Sequence, residues 1–272
     1  MKKTLFFFAI CIFNSFVYSQ CAFSDLMVNF WKCIEGQRIN EQVLREFLYK
    51  VVQDDMDHFD KVMKAEIKSY GALGRAMISF KKHKKEFLAR LQECKGINVA
   101  VSTLEFFIAR GLVELNELKS FIEKPKQNLP EFKSVDIQKI NIQQMIIFWT
   151  LVKDGVISEE NLRAFLLHNV RTNSDAFDKF IHKQFDEYGI SFMKKTLISM
   201  FKKGYIEQIQ KQEGMEMAVS FMHMLSYGDV VTKTLLGGYL SCILEEKIET
   251  LQDEKNKADK ERYEGYLKSI SE

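Results

Sequence analysis

The sequence predicts an all-α protein built from two tandem helical modules of about five or six helices each. Three observations lead there: apolar residues recur at helical spacing, one long stretch repeats at a fixed offset, and proline is confined to one place. Leu44, Phe47, Leu48, Val51 and Val52 fall on one helical face, as do Leu162, Phe165, Leu166 and Val170. No alternating pattern of comparable length suggests a strand. Phe30-Trp31 returns as Phe148-Trp149, an offset of 118, and from Phe30 to Gly71 that offset gives 15 identities in 42 positions. The chain's two prolines, Pro125 and Pro130, bracket a short segment between the copies, where the missing amide hydrogen and the ring stop a helix.

From the start of the chain, Met1-Lys2-Lys3 and the apolar run Leu5 to Val17 read as a secretory signal peptide cut near Ser19. The run falls short of the roughly 18 to 20 apolar residues of a spanning helix, and no later stretch reaches that length. Losing Lys2 and Lys3 from 39 basic residues leaves 37 against 37 acidic ones, so the mature chain is neutral and has no basic footprint for nucleic acid or an anionic membrane. Module one is expected over 20–124, a linker over 125–135, module two over 136–249 and a charged helical tail over 250–272. Within each module Phe30-Trp31 or Phe148-Trp149 anchors the first helix. A turn follows, with Gly36 and Asn40 in copy one and Gly155 and Ser158 in copy two supplying a glycine past one helix and a polar cap for the next. The next helices start at the Asp54-Asp55-Met56-Asp57 and Asn173-Ser174-Asp175 segments and end at Tyr70-Gly71 and Tyr188-Gly189. Ala100-Val101-Ser102 matches Ala218-Val219-Ser220 at the same offset, beyond a middle stretch read as carrying compensating small shifts. Glu245 to Arg262, dense in charge, reads as a solvated helical extension.

Composition excludes more functions than it suggests. With 46% hydrophobic and 28% charged residues, including 23 Phe, the chain has material for packed cores. It has no Gly-rich phosphate loop, no His-Glu-x-x-His, no Gly-x-Ser-x-Gly and no cysteine with a partner histidine, so it is read as non-enzymatic, with no cofactor. His58, His83, His168, His182 and His223 have no histidine counterpart across the repeat and read as surface or partly buried structural residues. Asp57, Asp60, Asp175 and Asp178 are the nearest thing to a cation site, although helix capping accounts for the same positions. Asp154-Gly155-Val156-Ile157-Ser158-Glu159 has the end of a calcium loop without its early oxygen ligands and is read as a helix–helix turn. Four cysteines outlast the signal, Cys21, Cys33, Cys94 and Cys242, and allow three pairings; Cys33 with Cys94 is the candidate disulfide that stays inside one module. Met215, Met217, Met222 and Met224 with Phe221 are either core or the lining of a lipid cavity. The pairs Phe30/Phe148, Trp31/Trp149, Arg45/Arg163 and Tyr70/Tyr188, kept in both copies, define the module.

The motifs together resemble the secreted SXP/RAL-type antigens of nematodes. The likeness rests on Phe148-Trp149-Thr150-Leu151-Val152, the Ser/Asn-capped helix carrying Glu159 and Leu162, the aromatic Phe177, the basic stretch His83-Lys84-Lys85, and the apolar rhythm from Ala100 to Ile122. Val52 and Val170 stand where that family has a tryptophan, and its single module is doubled. The resemblance implies a small secreted helical protein with no settled activity, for which cation binding is one expectation. The reading is therefore a secreted binding or interaction protein, with a carrier of a small hydrophobic ligand, such as a fatty acid, as the alternative.

Overall fold

The computed structural model describes residues 22–69, 80–93, 96–124, 142–187, 195–211, 214–251 and 256–271, and among these every regular element is a helix. In the first module α1 spans 22–35, α2 Glu41–Asp54, α3 Met56–Ser69, α4 Phe80–Gln92, α5 Ile97–Ala109 and α6 Leu115–Glu123. In the second, α7 spans Ile142–Lys153, α8 Glu159–Thr172, α9 Ser174–Glu187, α10 Lys195–Lys211, α11 Met215–Tyr227 and α12 Lys233–Thr250; α13, Lys257–Ser271, follows. The signal segment, both prolines, Tyr70, Tyr188, Cys21 and Cys94 lie outside the described residues. No described helix is long and apolar enough to cross a membrane.

Four helix–helix turns share one construction. At each, the residue past the helix has positive φ: Gln37 at 54°, Gly111 at 67°, Gly155 at 69° and Asp229 at 58°. Its amide bonds three residues back and the next amide bonds five back, as in Arg38 N to Cys33 O at 2.8 Å and Val156 N to Leu151 O at 2.9 Å, which satisfies carbonyls the helix leaves open. Then come a buried β-branched residue, a polar cap and, four residues after the cap, a buried leucine: Ile39/Leu44, Val113/Leu118, Ile157/Leu162 and Val231/Leu236. The aliphatic pair brackets the cap as a hydrophobic staple and fixes the angle at which the chain enters the second helix. Asn40 and Ser158 accept from Val43 N at 3.0 Å and Asn161 N at 3.1 Å, as the sequence suggested. Gly36, however, is not the left-handed residue of its turn. That position belongs to Gln37, the counterpart of Gly155, and a single exposed turn tolerates a non-glycine residue there.

The two modules join through α5 and α11, the most extensive helix–helix contact among the described elements. Ser102 and Ser220, 118 apart, face each other at the crossing. Each hydroxyl donates to the other's carbonyl at 3.1 Å and the two oxygens are 3.3 Å apart. An exchange in which residue i meets j as j meets i is the signature of a local two-fold axis. Ala100 and Ala218, both at most 1% exposed, supply the small surface that lets two backbones come this close. Trp149 meets Phe23 edge-on at 5.2 Å and Lys153 pairs with Asp25 at 2.6 Å, so α1 and α7 add to the same junction.

The offset of 118 holds where the sequence suggested small shifts. Lys84 pairs with Asp60 at 2.6 Å and Lys202 with Asp178. Phe59 lies 5.6 Å from Phe87, and Phe177 lies 5.7 Å from Tyr205. Phe47 stacks on Phe121 and Phe165 on Tyr239, both at 4.3 Å. Few positions of α4 and α10 are identical, yet Phe87 and Tyr205, and Leu91 and Ile209, hold equivalent places with equivalent contacts.

The C-terminal segment also differs from expectation. It does not run on into solvent: α13 packs back on α12 and α7, burying Tyr263 to 3% exposure. Tyr263 and Arg262 both reach Asp154 Oδ2, at 3.2 and 2.9 Å, so a charged face hides an anchor that composition alone does not reveal.

One position tests how tightly the second module is packed. A Cβ on Gly228 would lie 2.3 Å from the Phe180 ring. The corresponding pair in module one is Arg110 and Val62, so the missing side chain and the large ring go together. Gly228→Ala is expected to lower stability by about 1–3 kcal/mol in chemical denaturation, with Phe180→Val restoring part of the loss.

Candidate functional site

The matched pairs that lie among the described residues, the aromatic and arginine pairs, are part of the packing. Phe30, Trp31, Phe148 and Trp149 are all at most 1% exposed. Arg45 and Arg163 each anchor a clamp with the same wiring. Arg45 Nε donates to Glu41 Oε1 at 2.7 Å and its Nη1 to Leu91 O at 3.5 Å, while Gly96 N donates to the same Glu41 oxygen at 3.0 Å. In module two Arg163 reaches Glu159 at 2.8 Å and the carbonyl of Ile209, and Gly214 N donates to Glu159 Oε1 at 3.0 Å. Each clamp ties the start of one helix to the end of another and to the turn after it. Gly96 and Gly214, at φ 100° and 107°, place their amides where a side chain would be strained. Glu41→Ala and Glu159→Ala should each cost about 1–3 kcal/mol, since each leaves a guanidinium and a turn amide without their acceptor. Matched shifts in urea midpoint would show the clamps to be equivalent.

The four aspartates serve other ends than a shared cation site. Asp60 and Asp178 are committed to Lys84 and Lys202. Asp57 and Asp175 are exposed in the first turns of α3 and α9, where their charge suits the helix dipole. Among the described residues no three His, Cys, Asp or Glu side chains gather as metal ligands would. Cys33 is a buried free thiol whose Sγ accepts from the Arg38 guanidinium; its suggested partner Cys94 lies outside the described residues. Cys242 is free and exposed. Met215, Met217 and Met222 are at most 3% exposed and belong to the core.

Two features were not legible beforehand. The first is a groove of about 580 Å³ between α1, α6 and the α1–α2 turn, lined by Leu26, Asn29, Lys32, Cys33, Arg38, Lys119, Ile122 and Glu123. Arg38 is fixed at its wall by donating to Ile122 O at 3.3 Å. In module two the corresponding surface of α7 and α12 is covered by α13: Gly237, the counterpart of Lys119, has Ile270 Cγ2 3.5 Å from where its Cβ would be, and Gln144 Nε2 at 2.9 Å. Asp154, which anchors α13, has Gly36 as its counterpart, so module one lacks both the gap and the anchor for such a helix. A second cavity of about 670 Å³ at the start of α9 mixes Asp175 and Asp229 with Lys179 and Lys183, the last lying 3.7 Å over the Tyr227 ring.

The second feature is a polar seam at the α5–α11 crossing. Glu105 and His223 occupy equivalent positions and meet there, Oε1 to Nε2 at 3.4 Å, both with 0% exposure. His223, read from sequence as surface or partly buried, is therefore fully enclosed, with Trp31 stacked on it at 5.7 Å and 23°. Burial raises the Glu105 carboxyl above its ordinary value of 4.5, against the opposing pull of His223. Glu216, one helical turn earlier at the position matching Asn98, is raised as well, again mainly by burial. The signal that could have found this pair was the offset itself: a glutamate facing a histidine at equivalent positions of an apolar repeat. Comparison with protein-family models, curated proteins and solved structures finds no match for this chain.

Proposed function

We propose that the chain is a secreted, non-enzymatic binding protein that arose by duplication of one helical module and uses the α1–α6 groove of its first module as the contact face. One observation carries this reading: equivalent surfaces have diverged, one sealed by the chain's own α13 and the other open and rimmed by Lys32, Arg38 and Lys119 against Glu123. Duplication frees one copy to change while the other keeps the packing. The matched clamps, turns and the Ser102–Ser220 exchange support that origin. The resemblance to SXP/RAL-type antigens, the signal segment and the absence of catalytic motifs support secretion and binding.

The partner that fits is an amphipathic helix bearing acidic side chains: α13 covers the equivalent face of module two, and here Lys119 in place of Gly237 would hold a helix on a basic rim instead of in close apolar contact. Lys32→Glu combined with Lys119→Glu should abolish co-purification of such a partner from the native secreted fraction, while leaving the melting temperature within about 2 °C, since both residues are exposed. An unchanged set of partners would sink the reading.

The aliphatic floor formed by Leu26 and Ile122 favours a second reading, a fatty-acid-like anion held by Arg38 and the lysines. Native mass spectrometry separates the two: a lipid at fixed stoichiometry that is lost on Arg38→Ala supports the carrier, and a bare protein supports the helix-binding reading.

A further inference from the structure

Equivalent positions that meet across a two-fold axis present the same chemistry twice unless the copies diverge. A second glutamate at 223 would set two buried carboxylates against each other, and a second histidine at 105 would set imidazole against imidazole. The chain instead carries one of each, enclosed at the centre of the junction, with oxygen and nitrogen 3.4 Å apart. With one proton on the pair, an acid and a base carry no net charge. A second proton leaves an imidazolium beside a neutral acid, and loss of the proton leaves a bare carboxylate. Either state is an uncompensated charge in a site without water access, the costly outcome for buried pairs.

One other raised carboxyl, Glu216, shares the seam with this pair, and its titration is common to the wild type and the variants compared below. On α11, Glu216 acts on Glu105 with the same sign of charge, and Glu159 on α8 acts on Glu216. Glu159 carries its own Arg163, and the Glu41–Arg45 clamp on α2 likewise brings both charges to the start of α5. From α1 the neighbour is the Trp31 indole, which stacks on His223 and brings no charge. Nearest along the seam, Ser102 and Ser220 bond to each other and offer no titrating group.

We infer that Glu105 and His223 form a proton-operated latch between the two modules, closed while the enclosed pair holds its proton and loosened when Glu105 gives that proton up. The sign follows from proton counting. An unfolded glutamate releases its proton near its ordinary value of 4.5, whereas burial makes the enclosed Glu105 carboxyl keep its proton to higher pH, so the unfolded state binds fewer protons above that point and stability falls as pH rises. The contribution is fully present below 4.5 and is lost as pH climbs through the folded value of Glu105.

The test compares the wild-type chain with Glu105→Gln, His223→Gln and the double variant, following thermal unfolding from pH 4 to 9. The difference between wild type and the double variant should be largest near pH 4 to 5 and fall by about 5 °C or more toward pH 9. His223→Gln, which keeps the buried carboxyl, should keep that alkaline-side loss, and Glu105→Gln should remove it. A difference that stays flat across the range overturns the latch. Should the double variant fail to fold, the wild-type protein still decides: Trp31 and Trp149 are the chain's two tryptophans and both are buried, so their emission should shift to the red above pH 7 before global unfolding. Emission that stays constant until the global transition overturns the proposal equally.

Discussion

The rest of the structure depends on the close crossing of α5 and α11. Two helices approach closely enough for each serine hydroxyl to reach the other's carbonyl only where neighbouring side chains are small, and Ala100-Val101-Ser102 and Ala218-Val219-Ser220 supply that surface twice. Once this contact is set, both helices are covered on nearly all sides. Eight of the thirteen residues of α5 are buried, including Asn98, Ser102 and Glu105. Such a helix cannot be amphipathic in the usual sense, and its polar residues must find partners inside the protein.

That requirement explains why the junction holds the chain's most unusual chemistry. A surface glutamate or histidine is solvated whatever faces it. At a two-fold crossing each polar residue meets the one at its equivalent position, so the two residues must be chemically compatible. Serine can meet serine, because a hydroxyl both donates and accepts. Glutamate cannot meet glutamate without a shared proton, and here it meets histidine. A similar pairing appears at Gly228 and Phe180, where the ring occupies the space a side chain at 228 would need. Outside the junction equivalent faces differ more, as the covered and open grooves show.

Much of this was legible in the sequence for identifiable reasons. Helices were readable because apolar residues repeat at their period, and the caps at Asn40 and Ser158 because side-chain chemistry there is local. The repeat was readable where buried residues were identical. It blurred in α4 and α10, where Phe87 and Tyr205 or Leu91 and Ile209 do the same work with different names. The shared turn design escaped notice because its left-handed residue is glycine in two turns and Gln37 or Asp229 in the others. The C-terminal helix looked solvated because Tyr263, Tyr266 and Ile270 are few among many charges, yet those few are what pack.

The sequence by itself determined the helical class and the polar caps that start α2 and α8, since these follow from period and local side-chain chemistry. Only the tertiary structure decided which positions face one another. An offset of 118 says that Glu105 and His223 are equivalent, but not that a two-fold axis brings them together. Nor does it say that Lys119 borders an open groove while Gly237 lies beneath Ile270. Contacts between modules, and between a module and its final helix, depend on how faces meet in space, and that information is not carried by any one helix's pattern.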